Sequence, residues 1–183
     1  MSPTELEVTI RKQFEAGDLH AAATLAINGY GREVCGYLAA VLADEEQARD
    51  VFAETAAELW RDLSRFRWQA SLRTWIYTLA RHRLAAHLSR HGRQRTVPLS
   101  EAADVVARPH TTTVPWKRTA VKDTVSRLRS SLSADDQTLL ILRVDRAMSW
   151  REIADVIGDA HEPALRKRYE RIKNRLRDLA SAE

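Results

Sequence analysis

Proline placement constrains this chain more than any other feature. Of its five prolines, Pro98, Pro109 and Pro115 crowd into the stretch from about Arg93 to Pro115, where helical periodicity fails and threonines occupy 111–113. A proline inside a helix removes a hydrogen bond and clashes with the preceding turn, so such a cluster marks a break. Elsewhere Ala, Leu, Arg and Glu dominate, and apolar residues recur at helical spacing. The fold class is therefore all-α: two small helical domains joined by a flexible linker, the C-terminal one a helix-turn-helix. The divisions fall at 1–93, 94–115 and 116–183. With 183 residues in all, each domain can bury only a modest core.

Within the first domain, residues 5–30 read as helical with breaks near Gly17-Asp18 and at Asn28-Gly29-Tyr30-Gly31. Helices are then expected over about 32–42, from Asp44 or Glu45 to about Leu63, and from Ser71, a candidate N-cap, to about His91, with Gly92 ending the last. Val51, Phe52, Leu59 and Leu63 supply one inner stripe; Leu72, Trp75, Ile76, Leu79, Leu84 and Leu88 supply the next. A short ordered piece around 99–106 interrupts the linker, and helices follow over about 116–131, 134–145, 150–157 and 162–180.

Several function classes fall away. Cys35 is the single cysteine, so an intrachain disulfide and a cysteine-built zinc site are excluded; within Val34-Cys35-Gly36-Tyr37-Leu38 it reads as a buried, inert thiol. His82, His87 and His91 are spaced poorly for three ligands on one helical face. There is no glycine-rich phosphate loop and no G-x-S-x-G motif. No enzyme activity, cofactor or metal is expected. No apolar run approaches a membrane span, and the N-terminus lacks the pattern of a signal peptide, so the chain reads as cytoplasmic with no membrane partner.

Charge is segregated. Asp44, Glu45, Glu46, Asp50, Glu54, Glu58 and Asp62 recur along one segment, opposed there only by Arg49 and Arg61. From Ser64 to Ser100 no acid occurs, while Arg65, Arg67, Arg73, Arg81, Arg83, Arg90, Arg93 and Arg95 accumulate among Phe66, Trp68, Trp75 and Tyr77. Arginines neutralise phosphates and flat rings accept unstacked bases, so the basic segment suits nucleic acid. The acidic one suits a basic protein. Trp60 and Trp75 read as core, and Trp68, in the loop, as the stacking ring.

Near the C-terminus, Ser149-Trp150-Arg151-Glu152 has capping-box spacing, the small Ala154 allows a close helix crossing, and Gly158 suits a left-handed turn. Pro163 opens a helix with Leu165, Tyr169, Ile172, Leu176 and Leu179 on one side and Arg166, Lys167, Arg168, Arg171, Lys173, Arg175 and Arg177 around it. A basic second helix in a helix-turn-helix is a candidate major-groove reader.

Three segments in order carry a resemblance. Arg49-Asp50-Val51-Phe52-Ala53-Glu54-Thr55, with Leu59-Trp60, resembles the acidic polymerase-binding segment of bacterial sigma factors. Phe66 through Arg83 resembles their promoter-melting and −10-reading segment, and Leu132 through Leu179 their −35-reading domain. The order and the tether are similar to those of the extracytoplasmic-function (ECF) sigma factors, a two-domain group that lends specificity to RNA polymerase. The resemblance implies that Glu46, Asp50, Glu54, Glu58 and Trp60 contact core RNA polymerase, at the β′ clamp helices and with the β subunit as a further partner. It assigns the −10 promoter DNA to Arg65, Arg67, Trp68, Gln69, Ser71, Arg73, Thr74, Tyr77, Arg81 and Arg83. The −35 DNA falls to Arg166, Lys167, Arg168, Arg171 and Lys173. It also points to an anti-sigma factor or a Ser/Thr kinase as regulator. Where the family commonly has Asp-Ala-Glu-Asp, this chain has Gln47-Ala48-Arg49-Asp50, which predicts a weaker polymerase contact and makes Thr55 a candidate phosphorylation site. A helix-turn-helix regulator that no longer binds polymerase is the alternative, and a pure protein-interaction module is a third.

Overall fold

The computed structural model describes residues 3–94, 131–158 and 161–181. The expected linker over 94–115, its ordered piece at 99–106 and the helix over 116–131 lie almost wholly outside the described residues. Seven α-helices make up the described chain, and no strand occurs among the described residues. They are α1 (Pro3–Glu15), α2 (Leu19–Leu42), α3 (Glu45–Asp62), α4 (Leu72–Gln94), α5 (Ala134–Leu140), α6 (Trp150–Ile157) and α7 (Glu162–Ser181).

Local chemistry accounts for the boundaries. Gly17, at φ +81°, turns the chain between α1 and α2, and the Asp18 carboxylate accepts the Ala21 N–H at 2.9 Å. Asp44 caps α3 by accepting the amides of Glu46 and Gln47. Ser71 caps α4 through the Thr74 N–H at 3.0 Å. The expected break at residues 28–31 is absent: α2 runs unbroken to Leu42. Those glycines serve packing instead. Leu6 of α1 presses on Gly29, and a methyl at Gly31 would stand 2.8 Å from Phe52 Cζ of α3. Gly92 likewise lies inside α4, which continues to Gln94. The expected helix over 134–145 is α-helical only to Leu140; Ile141–Asp145 widen into a π turn, closed by the Arg146 N–H on the Ile141 carbonyl.

Helices α1–α4 surround one core containing Ile10, Ala26, Val34, Leu38, Val51, Leu59, Leu72 and Ile76. Leu139, Leu142, Met148, Ile153, Val156, Leu165 and Ile172 hold α5–α7 together. Leu88 and Leu179, expected in the core, are each 37% exposed, and Cys35 is half-buried rather than buried.

The two groups of helices touch. Helix α6 lies against α4, and α5 against α2. Tyr37 and Thr138, both buried, share a hydrogen bond of 3.1 Å across this contact. Arg146 donates to the Glu33 carbonyl at 2.9 Å, and Arg73 donates to the Arg146 carbonyl at 3.3 Å.

Candidate nucleic-acid interface

Helices α3 and α4 are neighbours, and their opposite charges meet. Glu54 pairs with Arg90 at 3.1 Å, and Glu58 pairs with Arg83. The charge reversal read from sequence as two faces for two partners is thus partly spent within the molecule. Half-exposed pairs of this kind contribute about 0–1 kcal/mol each, so they can be exchanged for others cheaply. Glu46 and Asp50, one and two turns earlier, are exposed and make no ion pair among the described residues. Trp60 is 46% exposed, with His20 edge-on at 4.7 Å, and not in the core.

Thr55 departs from its expectation. Its hydroxyl donates to the Val51 carbonyl at 2.8 Å, and the residue is 1% exposed, so a kinase cannot reach it while α3 is packed. The sequence places it beside Glu54, but the helical turn points it inward.

The loop between Phe66 and Ser71 and the start of α4 frame a cleft of about 480 Å³ lined by Arg65, Phe66, Arg67, Gln69, Thr74 and Thr78, among others. Arg67 and Gln69 are exposed, and Arg67 has no ion pair among the described residues. Asp62 lies on the wall; its hydrogen bond with Arg61 holds its carboxyl below the usual range, so it stays ionised. Asp155, from α6, also lines the cleft.

Aromatic residues brace this loop. Phe66 stacks on Trp75 at 4.9 Å and meets Trp68 at 5.0 Å. Trp68 adopts φ +55°, a left-handed conformation that costs a side-chain-bearing residue about 1–2 kcal/mol. Its indole Nε1 is buried without a hydrogen-bond partner among the described residues. Arg11 lies over the ring at 5.3 Å, and Phe14 meets its edge at 5.6 Å. The ring expected to be open for a base is therefore already packed.

Other predicted −10 residues face inward or are engaged. Thr74 is buried at the cleft floor and shares a 2.8 Å bond with Ser71. Tyr77 is fully buried against Tyr37, and burial raises its phenol well above the ordinary range. Arg73 grips Glu33 with two bonds of 2.7 and 3.0 Å, and Arg81 pairs with Asp135 at 3.3 Å. Sequence order could not reveal these carboxylates, which come from other helices.

The helix-turn-helix has the expected local chemistry. Ser149 and Glu152 form a reciprocal capping box, and Gly158 sits at φ +75° as the C-cap of α6. On α7, Arg166 stacks over Trp150 at 5.6 Å, with Arg143 at 4.8 Å. Arg168 pairs with Asp136 at 2.7 Å and Lys173 with Glu170 at 2.8 Å, whereas Lys167 and Arg171 are exposed without ion pairs among the described residues.

Residues 26–94 match the family model for sigma-70 region 2. Along 130 residues the chain is 27% identical to the RNA polymerase sigma factor YlaC of Bacillus subtilis, covering 70% of this chain and 75% of that protein. The chain is similar to RNA polymerase sigma factors over most of its length. It is also 25% identical over 165 residues to the RNA polymerase sigma-H factor of Pseudomonas aeruginosa, covering 86% and 85% of the two chains. Two solved structures share its fold. One is the sigma factor RpoE in complex with the anti-sigma factor NepR from Bartonella quintana: TM-score 0.67, 19% identity, 91% of this chain and 98% of that one. The other is CnrH in complex with the cytosolic domain of CnrY: TM-score 0.70, 17% identity, 97% and 99% covered. The match thus includes α3, the loop and α4, where acidic face and cleft adjoin. No helix among the described residues is long and apolar enough to cross a membrane, and no group of three ligating side chains among them could hold a metal.

Proposed function

We propose that the chain directs core RNA polymerase to specific promoters and assists their melting, with residues 1–93 serving polymerase and the −10 element and residues 116–183 serving the −35 element. The cleft beside the Phe66–Ser71 loop carries this reading: it joins exposed cations, a polar floor and aromatic walls, with more than enough room for an unpaired base. Arg65, Arg67 and Gln69 hold the extruded strand there, and its capture offsets the few kcal/mol lost on unpairing. Glu46, Asp50 and Trp60, exposed on α3, dock on the β′ clamp helices. Lys167, Arg171 and Arg166 enter the −35 major groove. The polymerase performs the chemistry, and the chain acts in the cytoplasm.

In the closed arrangement α6 covers part of α4, and the Asp155 carboxylate borders the −10 cleft. Asp155 adds a second acidic side chain beside Asp62 where a phosphate would lie, so promoter capture is favoured when α6 leaves α4. An anti-sigma factor that stabilises the closed arrangement fits this reading; the two solved neighbours above are both complexes, one with a named anti-sigma factor. Control by phosphorylation at Thr55 finds no support in the geometry.

The test is selection from a random duplex pool by the chain reconstituted with core polymerase. Enrichment of two half-sites at fixed spacing, dependent on core, is expected. Equal enrichment without core would favour the polymerase-independent regulator, and no enrichment at all would favour a protein-interaction module.

A further inference from the structure

Helix α1 lies ahead of the segment matched by the family model, which begins at residue 26. Three of its side chains nevertheless converge on the junction between the cleft loop and α4. Glu7 accepts the Leu72 N–H, the first of α4, on Oε1 and the Tyr30 hydroxyl on Oε2 at 2.6 Å. Burial, reinforced by the Glu7 bond, raises the Tyr30 phenol, which therefore remains a donor. The opening amides of a helix have no partner within it, and a carboxylate there satisfies one while meeting the positive end of the dipole. One turn and two turns farther along α1, Arg11 covers the Trp68 ring and Phe14 meets its edge. Leu6 and Ile10 anchor α1 by burial. A left-handed Trp68 persists only where its surroundings hold it, and two of those surroundings come from α1.

We propose that α1 is the positioning element of the −10-reading loop: Glu7 fixes the start of α4, and Arg11 and Phe14 fix Trp68, so the residues between are presented to the unpaired strand in one shape. This rests on the reading of the 65–71 segment as the −10 surface. Glu7 and Arg11 do not line the cleft themselves. They act through Leu72 and Trp68 and are positioning residues.

The experiment uses the full chain with core polymerase and the random duplex pool, followed by competition between the selected sequence and copies scrambled at one half-site. The −35 half-site serves as an internal control. Glu7→Ala is expected to lower preference for the intact −10 half-site about tenfold, the scale of one charge-assisted hydrogen bond, and Arg11→Ala about threefold, that of an exposed cation–ring contact. Both keep the −35 preference and core affinity. Glu7→Gln, which retains an acceptor oxygen for Leu72, recovers most of the loss. Unchanged −10 preference in both alanine variants would overturn the proposal, and so would an equal loss at both half-sites, the signature of general destabilisation. If Glu7→Ala does not fold, Arg11→Ala decides alone, since its side chain is 58% exposed. A wild-type chain that enriches no bipartite motif overturns the promoter reading first, and this inference with it.

Discussion

Thr138→Val should make the chain bind core polymerase more tightly. Thr138 donates its own hydroxyl proton to the Ala134 carbonyl at 2.8 Å, which leaves its oxygen free to accept from Tyr37 at 3.1 Å. Burial pushes the Tyr37 phenol up to about 12, so it is a neutral donor at physiological pH. Valine matches threonine in shape but offers no acceptor, and Tyr37 is fully buried, so its hydroxyl would be stranded. A stranded buried donor costs about 1–3 kcal/mol. That cost falls on the closed arrangement alone, because parting α5 from α2 returns the hydroxyl to water. At about 1.4 kcal/mol the ratio of closed to parted forms drops tenfold. A partner that binds only the parted form sees its apparent affinity multiplied by the fraction available; with core polymerase as that partner, its dissociation constant should fall by up to about tenfold. Tyr37→Phe with Thr138→Val removes donor and acceptor together and should return the affinity to within about twofold of wild type. Titration of labelled chain against core polymerase provides the readout. Equal or weaker binding by Thr138→Val would refute the reasoning that the closed form competes with polymerase.

Gly31→Ala drives a methyl against the Phe52 ring and should cost about 1–3 kcal/mol, read as a lower thermal midpoint for the unfolding of α1–α4. Ser149→Ala removes the capping box of α6 and should cost about 1 kcal/mol in chemical denaturation, with a weaker effect for Glu152→Gln. Thr55→Glu, the usual imitation of a phosphate, would place a charge in the core beneath α3. It should lose helical circular dichroism at a lower temperature and gain no polymerase affinity, whereas a stable, tighter-binding variant would restore the phosphorylation reading.

How much the sequence disclosed differs by kind of signal. The capping box at Ser149 and Glu152 and the left-handed Gly158 were legible because both ends of each interaction lie within a few residues. Gly29 and Gly31 were misread as a break because a glycine that permits a turn looks the same as one that admits a neighbour, and Leu6 and Phe52 are 23 and 21 positions away. The charge reversal was plain, but its internal cancellation was not: Glu58 meets Arg83, and Arg73 meets Glu33, only after α3 and α2 fold against α4. Trp68 was correctly placed in a loop, yet its burial depends on Arg11 and Phe14, in a helix with no sequence motif to announce it. Thr55 shows the same limit on a smaller scale, since adjacency to Glu54 says nothing about which way the helix turns it.

The carboxylates that hold Arg73, Arg81, Arg83 and Arg168 have a thermodynamic consequence for the search along DNA. A free arginine that meets a phosphate sets loose a condensed cation, and that release is the entropy behind sequence-blind attachment to duplexes. An arginine already neutralised by a tethered Glu or Asp must first give that partner up, and the liberated carboxylate then recruits a cation of its own. The release nearly cancels. These contacts would add little to the pull of random genomic sequence, which offers millions of rival sites. The internal ion pairs would weaken the idle chain's hold on random duplex and leave more of it available to polymerase.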